Sequence, residues 1–197
     1  MVNCWWDISA LEPLAFLAMA LFAVNMYRKG EKKHPNKLAL YWTLGSAIVS
    51  FIGAGLLGFA HTLPQTNLYT HGTLVTAMHG HLAFWGAYAM IVLAIISYSL
   101  PNMTGRKLYE SSRGRAAFWL ANIGMIGMTV AFGVAGVAQV YLERKFGMDF
   151  MKVQKEISIH FVVLILCATL FTTGIILYII DFYKHGKPTD EALEINE

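Results

Sequence analysis

Five long apolar runs separated by short polar connections organise the chain: Ile8 to Tyr27, Leu38 to Ala60, Thr73 to Leu100, Ala116 to Tyr141 and Ile157 to Ile180. A helix crosses the hydrocarbon core of a bilayer with about 20 apolar residues. Each run therefore predicts one transmembrane helix, and the chain an all-α membrane protein with five transmembrane helices. The runs are continuously apolar rather than alternating, which excludes the closed barrel, the one form in which a sheet spans lipid. Composition agrees: 56% of residues are hydrophobic and 14% charged, and the mean hydropathy of +0.51 lies on the apolar side of a soluble domain. The opening MVNCWWD has no basic n-region, and the run behind it carries Glu12 and Pro13. The first helix is thus expected to stay in the protein rather than be removed as a signal peptide.

Charge placement adds an orientation. The connection RKGEKKHPNK holds five of the fifteen Lys and Arg, HTLPQTNLYTHG holds none, and NMTGRKLYESSRGR holds four. Cytoplasmic loops carry the basic excess, so the first and third connections are expected inside and the second outside. The N-terminus is then outside, in a multi-pass protein of the bacterial inner membrane. The fourth connection, LERKFGMDFMKVQKE, fits least, with four basic residues on the outer side, partly offset by Glu143, Asp149 and Glu156. The polar end of the chain reads as a solvated cytoplasmic tail. The net charge of +3 reflects this loop pattern, and no basic face concentrates it as nucleic-acid binding requires. Cys4 and Cys167 are expected at different depths, too far apart to bridge.

GAGLLG, Gly53 to Gly58, matches the three-glycine dinucleotide-binding pattern. That pattern needs a strand before it and a solvent-exposed helix start after it. Inside a membrane helix its glycines read as close helix packing, as do Gly124 with Gly127 and Gly133 with Gly136. Met125 and Met128 read as core filling.

The polar groups left inside the apolar runs are few: Glu12, His79, His81 and, near the outer end of the fifth helix, His160. Ionisable groups at membrane depth are expensive and mark function by default. On a helix of 3.6 residues per turn, positions two apart point about 200° apart. His79 and His81 therefore leave nearly opposite faces at one depth and cannot share a metal ion as an i, i+4 pair does. The arrangement suits two large cofactors, one per face, and haem iron is the partner that takes a single neutral imidazole in a dry pocket. Gly80 and Gly86 would keep the helix slim where flat macrocycles lie. Entering from outside, His79 and His81 sit roughly 9 to 12 Å deep and Glu12 about 6 Å. A carboxyl group buried there would titrate high, carry protons or help to hold a hard metal ion. Pro13 beside it removes a backbone donor and opens the helix locally.

These residues carry a resemblance. SALEPLAF, HPNK, GAGLLGFAHTL, YTHGTLVTAMHGHLAFWGAY, RAAFWL and GMIGMTV resemble the catalytic b subunits of bacterial cytochrome c-dependent nitric oxide reductases, in the haem-copper oxidase superfamily with cytochrome c oxidase subunit I. The resemblance runs from about Ser9 to the end of the fifth helix and is most specific at AMHGHLAFWGAY. It implies that His79 is the proximal ligand of a high-spin haem b3, where nitric oxide is reduced to nitrous oxide, and that His81 is an axial ligand of a low-spin haem b. It places Glu12 beside a non-haem iron as proton carrier and metal neighbour, and Thr62 in a region of proton uptake. His61 and His71 lie in matching stretches without an assigned role.

The resemblance also divides the chain into a non-matching segment 1–7, a five-helix domain 8–183 and a polar tail 184–197. It covers only the last five helices of a twelve-helix subunit I fold, so the histidines that hold the non-haem iron are expected on helices outside this sequence. The implied partners are the N-terminal half of the catalytic subunit, a membrane-anchored cytochrome c subunit and a soluble electron donor; alone, the chain is not expected to turn over. Two other readings are a fragment of an oxygen-reducing oxidase and a non-catalytic b-type cytochrome or degenerate membrane fragment. Glu12 argues against the first, because a carboxylate suits iron better than copper. The second needs further axial ligands within this chain, and by depth His160 is the one candidate.

Overall fold

The computed structural model describes residues 36–103 and 111–185, together with ten positions between Leu14 and Lys29. Among the described residues every regular element is helical. Among the described residues, four helices are long and apolar enough to cross a membrane: α1 (Lys37–Thr62), α3 (Leu74–Pro101), α4 (Ser112–Lys145) and α6 (Ser158–Lys184). Two short helices lie in connections, α2 (Pro64–Thr70) and α5 (Phe150–Glu156). The first expected span falls largely outside the described residues. Its eight described positions, like Arg28 and Lys29 just beyond it, are helical, and Leu14, Leu21 and Phe22 among them are exposed.

Four of the five expected helices are present, each within a few residues of its apolar run at either end. Polar caps set the starts. Asn36 accepts from the Ala39 N–H at 3.0 Å, Thr73 from Val75, and Ser111 from Arg113 and Gly114, each satisfying amide donors that have no partner within the helix. The two short helices occupy stretches that the sequence reads as loop. Pro64 pre-sets the first turn of α2, and the Asp149 carboxylate caps α5 through the Met151 N–H. Gly147, at φ +66°, supplies the left-handed turn between α4 and α5.

Lipid gives helices no hydrophobic reason to associate, so close packing and hydrogen bonds hold them together. α4 and α6 meet backbone to backbone. A Cβ on Gly174 would lie 2.5 Å from the Ala121 nitrogen, and one on Gly124 would meet the Phe171 nitrogen. α1 and α3 meet in the same way, with a Cβ on Gly53 2.7 Å from the Leu82 carbonyl carbon and one on Gly86 2.6 Å from the Ser50 nitrogen. The packing reading of GAGLLG thus describes what Gly53 does.

Side-chain bonds tie the helices at several levels. Ser46 donates to the Gly86 carbonyl at 2.6 Å and Asn36 to the Ser97 carbonyl at 2.7 Å, both between α1 and α3. The Trp85 indole donates to Asn122 at 3.1 Å, joining α3 to α4. Ser97 and Tyr178 share a 2.9 Å bond between α3 and α6. One aromatic from each helix meets at the centre, where Trp42 packs edge-on against Trp85, Phe118 and Tyr178 at centroid distances of 6.0, 5.0 and 5.7 Å. Edge-to-face pairs of this kind add about 0.5–1.5 kcal/mol each beyond the area they bury.

Candidate functional site

His79 and His81 lie in the second turn of α3, and the helix aims them at different neighbours. The half-buried His79 faces α1, where its Nδ1 lies 2.9 Å from the Gly53 carbonyl oxygen. A carbonyl only accepts, so Nδ1 carries the proton and Nε2 keeps its lone pair. That is the tautomer in which an imidazole binds a metal through Nε2 while a protein oxygen orients its other nitrogen. Gly53 sits in a wider-wound turn of α1, Phe51–Leu57. Such π-type turns recur at functional sites.

His81 is exposed and turned the other way. Its Nδ1 lies 2.8 Å from the Ala77 carbonyl of its own helix, four residues back, so its Nε2 is again the lone-pair nitrogen. Its ring lies 4.8 Å from that of Phe132 on α4. Beside it a groove of about 570 Å³ runs between α3, α4 and α6, lined by Ala77, Gly80, Trp85, Met125 and Phe171 among others. That volume is in the range of small-molecule and cofactor pockets, and the walls are apolar as such pockets require.

The two glycines invoked beside these histidines separate. A Cβ on Gly80 would meet nothing within 4 Å, so the space between the histidines is open. Gly86 instead lies against the backbone of α1 at Val49 and Ser50. It serves helix packing, and its assignment to a cofactor face is corrected accordingly.

The other sequence candidates spread apart. Glu12 lies outside the described residues. Thr62, the last residue of α1, is half-buried and donates to the Phe59 carbonyl at 2.7 Å. His71 is exposed at the end of α2. The His160 Nδ1 lies 3.1 Å from the Ile157 carbonyl at the start of α6. Among the described residues no group of three His, Cys, Asp or Glu side chains is placed to hold a metal ion.

His61, like His71, is a residue to which sequence reasoning assigns no role. Its ring stacks on that of His79, 4.9 Å between centroids and 25° between planes. Its Nδ1 donates to the Leu57 carbonyl at 2.9 Å, and its Nε2 is buried with no hydrogen-bond partner. Counting residues puts the two about 6 Å apart in depth, because His61 is one residue from the end of α1 and His79 five from the start of α3. Side chains lean toward the N-terminus of their helix. In two antiparallel helices His61 and His79 therefore lean toward one another. That geometry is the signal that could have paired them.

Known proteins place the chain in context. The family described as cytochrome c and quinol oxidase polypeptide I matches residues 8–182. The B subunit of nitric oxide reductase from Stutzerimonas stutzeri is 43% identical over 189 residues, 91% of this chain and 40% of that protein. Cytochrome c oxidase subunit 1 of Corynebacterium diphtheriae is 30% identical over 86 residues, 44% of this chain and 15% of that protein. A cytochrome c oxidase subunit 1 of Thermus thermophilus is 27% identical over 95 residues, 47% of this chain and 17% of that protein. The chain therefore spans well under half the length of these relatives.

Proposed function

Because this chain belongs to the cytochrome c and quinol oxidase polypeptide I family, we propose that it is part of a nitric oxide reductase, reducing nitric oxide to nitrous oxide with electrons from cytochrome c. The observation that carries this reading over others in the family is the 43% identity to the B subunit of a nitric oxide reductase across 91% of the chain. Shorter and weaker matches to cytochrome c oxidase subunit 1 support the second reading, an oxygen-reducing oxidase. A carboxylate at Glu12 favours iron over copper and hence the first.

In this reading His79 is the proximal ligand of the high-spin haem b3 and His81 an axial ligand of the low-spin haem b. The residues fit such groups. Each imidazole presents Nε2 as an acceptor, each is oriented through Nδ1 by a carbonyl, and open space surrounds Gly80 between them. When bound, haem supplies the iron that takes up the substrate and passes electrons. The chain's own work is orientation and proton handling. Gly53 and Ala77 fix the tautomers, Trp85, Met125 and Phe171 keep water from the His81 groove, and Glu12 and Thr62 carry protons from the outer surface. Glu12 would also help to hold the non-haem iron, whose histidine ligands are expected on helices outside this sequence.

Turnover then belongs to an assembly in the bacterial cytoplasmic membrane: this chain, the rest of the catalytic subunit, a membrane-anchored cytochrome c subunit and a soluble donor. The N-terminus faces out and the tail the cytoplasm. The test is the absorption spectrum and haem content of the purified 197-residue chain, oxidised and reduced, with and without carbon monoxide. Near-stoichiometric haem b with a carbon-monoxide-sensitive portion is expected. A chain that takes up no haem when supplied with haemin would overturn the assignment of both pockets to these helices.

A further inference from the structure

His61 has no part in the proposed reaction, yet among the described residues it is the aromatic ring stacked on His79. We propose that His61 is a positioning residue that fixes the plane of the His79 imidazole toward the haem. The proposal rests on His79 being a haem ligand.

Two contacts define that plane, and a third residue of the same stretch leaves room for the ring. The Gly53 carbonyl holds one edge of the ring through Nδ1. The His61 ring covers one face at 4.9 Å. Gly58 lies close by, where an added Cβ would stand 3.4 Å from His79 Cε1. All three residues belong to one stretch of α1, and the two imidazoles hang from carbonyls four residues apart, Gly53 and Leu57. One helix turn orients both, and their planes lie 25° apart.

Either contact alone leaves a freedom. The hydrogen bond restrains Nδ1 but lets the ring tilt about that point, whereas a stacked face resists tilting. Both together leave one orientation, and groups that orient a metal-binding imidazole tune the metal's affinity and electronics. His81 shows the same pairing of a carbonyl and an aromatic face, with Ala77 and Phe132 in the corresponding places. Phe132 has no nitrogen, so the property common to the two sites is the aromatic face.

The experiment compares the wild-type chain, His61→Ala and His61→Phe, each assembled with the rest of the catalytic subunit and loaded with haem b. The readouts are the iron–histidine vibration and the carbon-monoxide-sensitive absorption. His61→Ala is expected to shift or broaden the vibration and to lower carbon-monoxide-sensitive haem about two- to tenfold, the scale of one lost aromatic contact. The low-spin haem at His81 should be unchanged, and His61→Phe should restore both readouts. An unchanged vibration in His61→Ala would overturn the proposal. So would equal loss of both haem signals, which marks a general folding role, or a folded His61→Phe chain that behaves like His61→Ala.

A second measurement needs no haem. Cross-relaxation between the ring protons of His61 and His79 in the micelle-bound chain reads the stack directly, and its absence would sink this proposal while leaving the haem reading standing. A wild-type chain that shows the stack but takes up no haem would overturn the haem reading, and this one with it.

Discussion

Two residues apart on one helix, His79 and His81 are held in opposite ways. His79 is half-buried, bonded to a carbonyl of α1 and stacked on a histidine of α1. His81 is exposed, bonded to a carbonyl of its own helix, and open to a groove of about 570 Å³. The orientation of His79 thus depends on how two helices pack, while the hydrogen bond that orients His81 needs only a helical turn. Disturbing the α1–α3 contact should therefore reach one histidine and spare the other, and disturbing the α3–α4 contact should do the reverse.

Removing each imidazole in turn has the largest effect. His79→Ala is expected to abolish the high-spin haem signal and leave the low-spin one, and His81→Ala the reverse, read from reduced spectra with and without carbon monoxide. Variants that both retain both signals would refute the ligand assignment.

A packing change comes next. Gly53→Val sets a branched side chain where even a Cβ lies 2.7 Å from the Leu82 backbone, and overpacking of this kind costs about 1–3 kcal/mol. Thermal melting in detergent should show the loss, and the haem at His79 should fall much further than that at His81. Equal falls would mean that the two environments are not independent.

The smallest effect tests the other side. Asn122→Ala leaves the Trp85 indole, in the wall of the His81 groove, without its acceptor. An interhelical hydrogen bond in a membrane is worth about 1 kcal/mol. A modest drop in melting temperature and a shift confined to the low-spin haem band are expected, and a shift at the high-spin haem would remove the distinction.

Particular residues show how far the sequence can be read. α1, α3, α4 and α6 follow from apolar run length, and Gly53, Gly124 and Gly136 meet neighbouring backbone as glycines inside membrane helices should. α2 and α5 escape such a reading because each has seven residues, too few for a period to show, and each depends on a single starting residue, Pro64 or Asp149. Gly86 reads as part of a cofactor face because its proximity to the histidines in sequence says nothing of which helix lies against it. His61 receives no role because the apolar run ends at Ala60 and His61 reads as the first residue of the outer connection, whereas α1 continues through it and its side chain reaches back along the helix axis.

The sequence by itself determined that the chain spans a membrane as helices, and that His79 and His81 leave α3 on different faces. Both follow from local quantities, the length of an apolar run and the angle per residue of a helix. Only the tertiary structure decided which carbonyl orients His79, that His61 covers its ring, and that a groove opens beside His81. These are contacts between segments distant in the chain, 26 residues apart for His79 and Gly53. They exist because glycines let the helix backbones approach until the side chains between them have one way to lie.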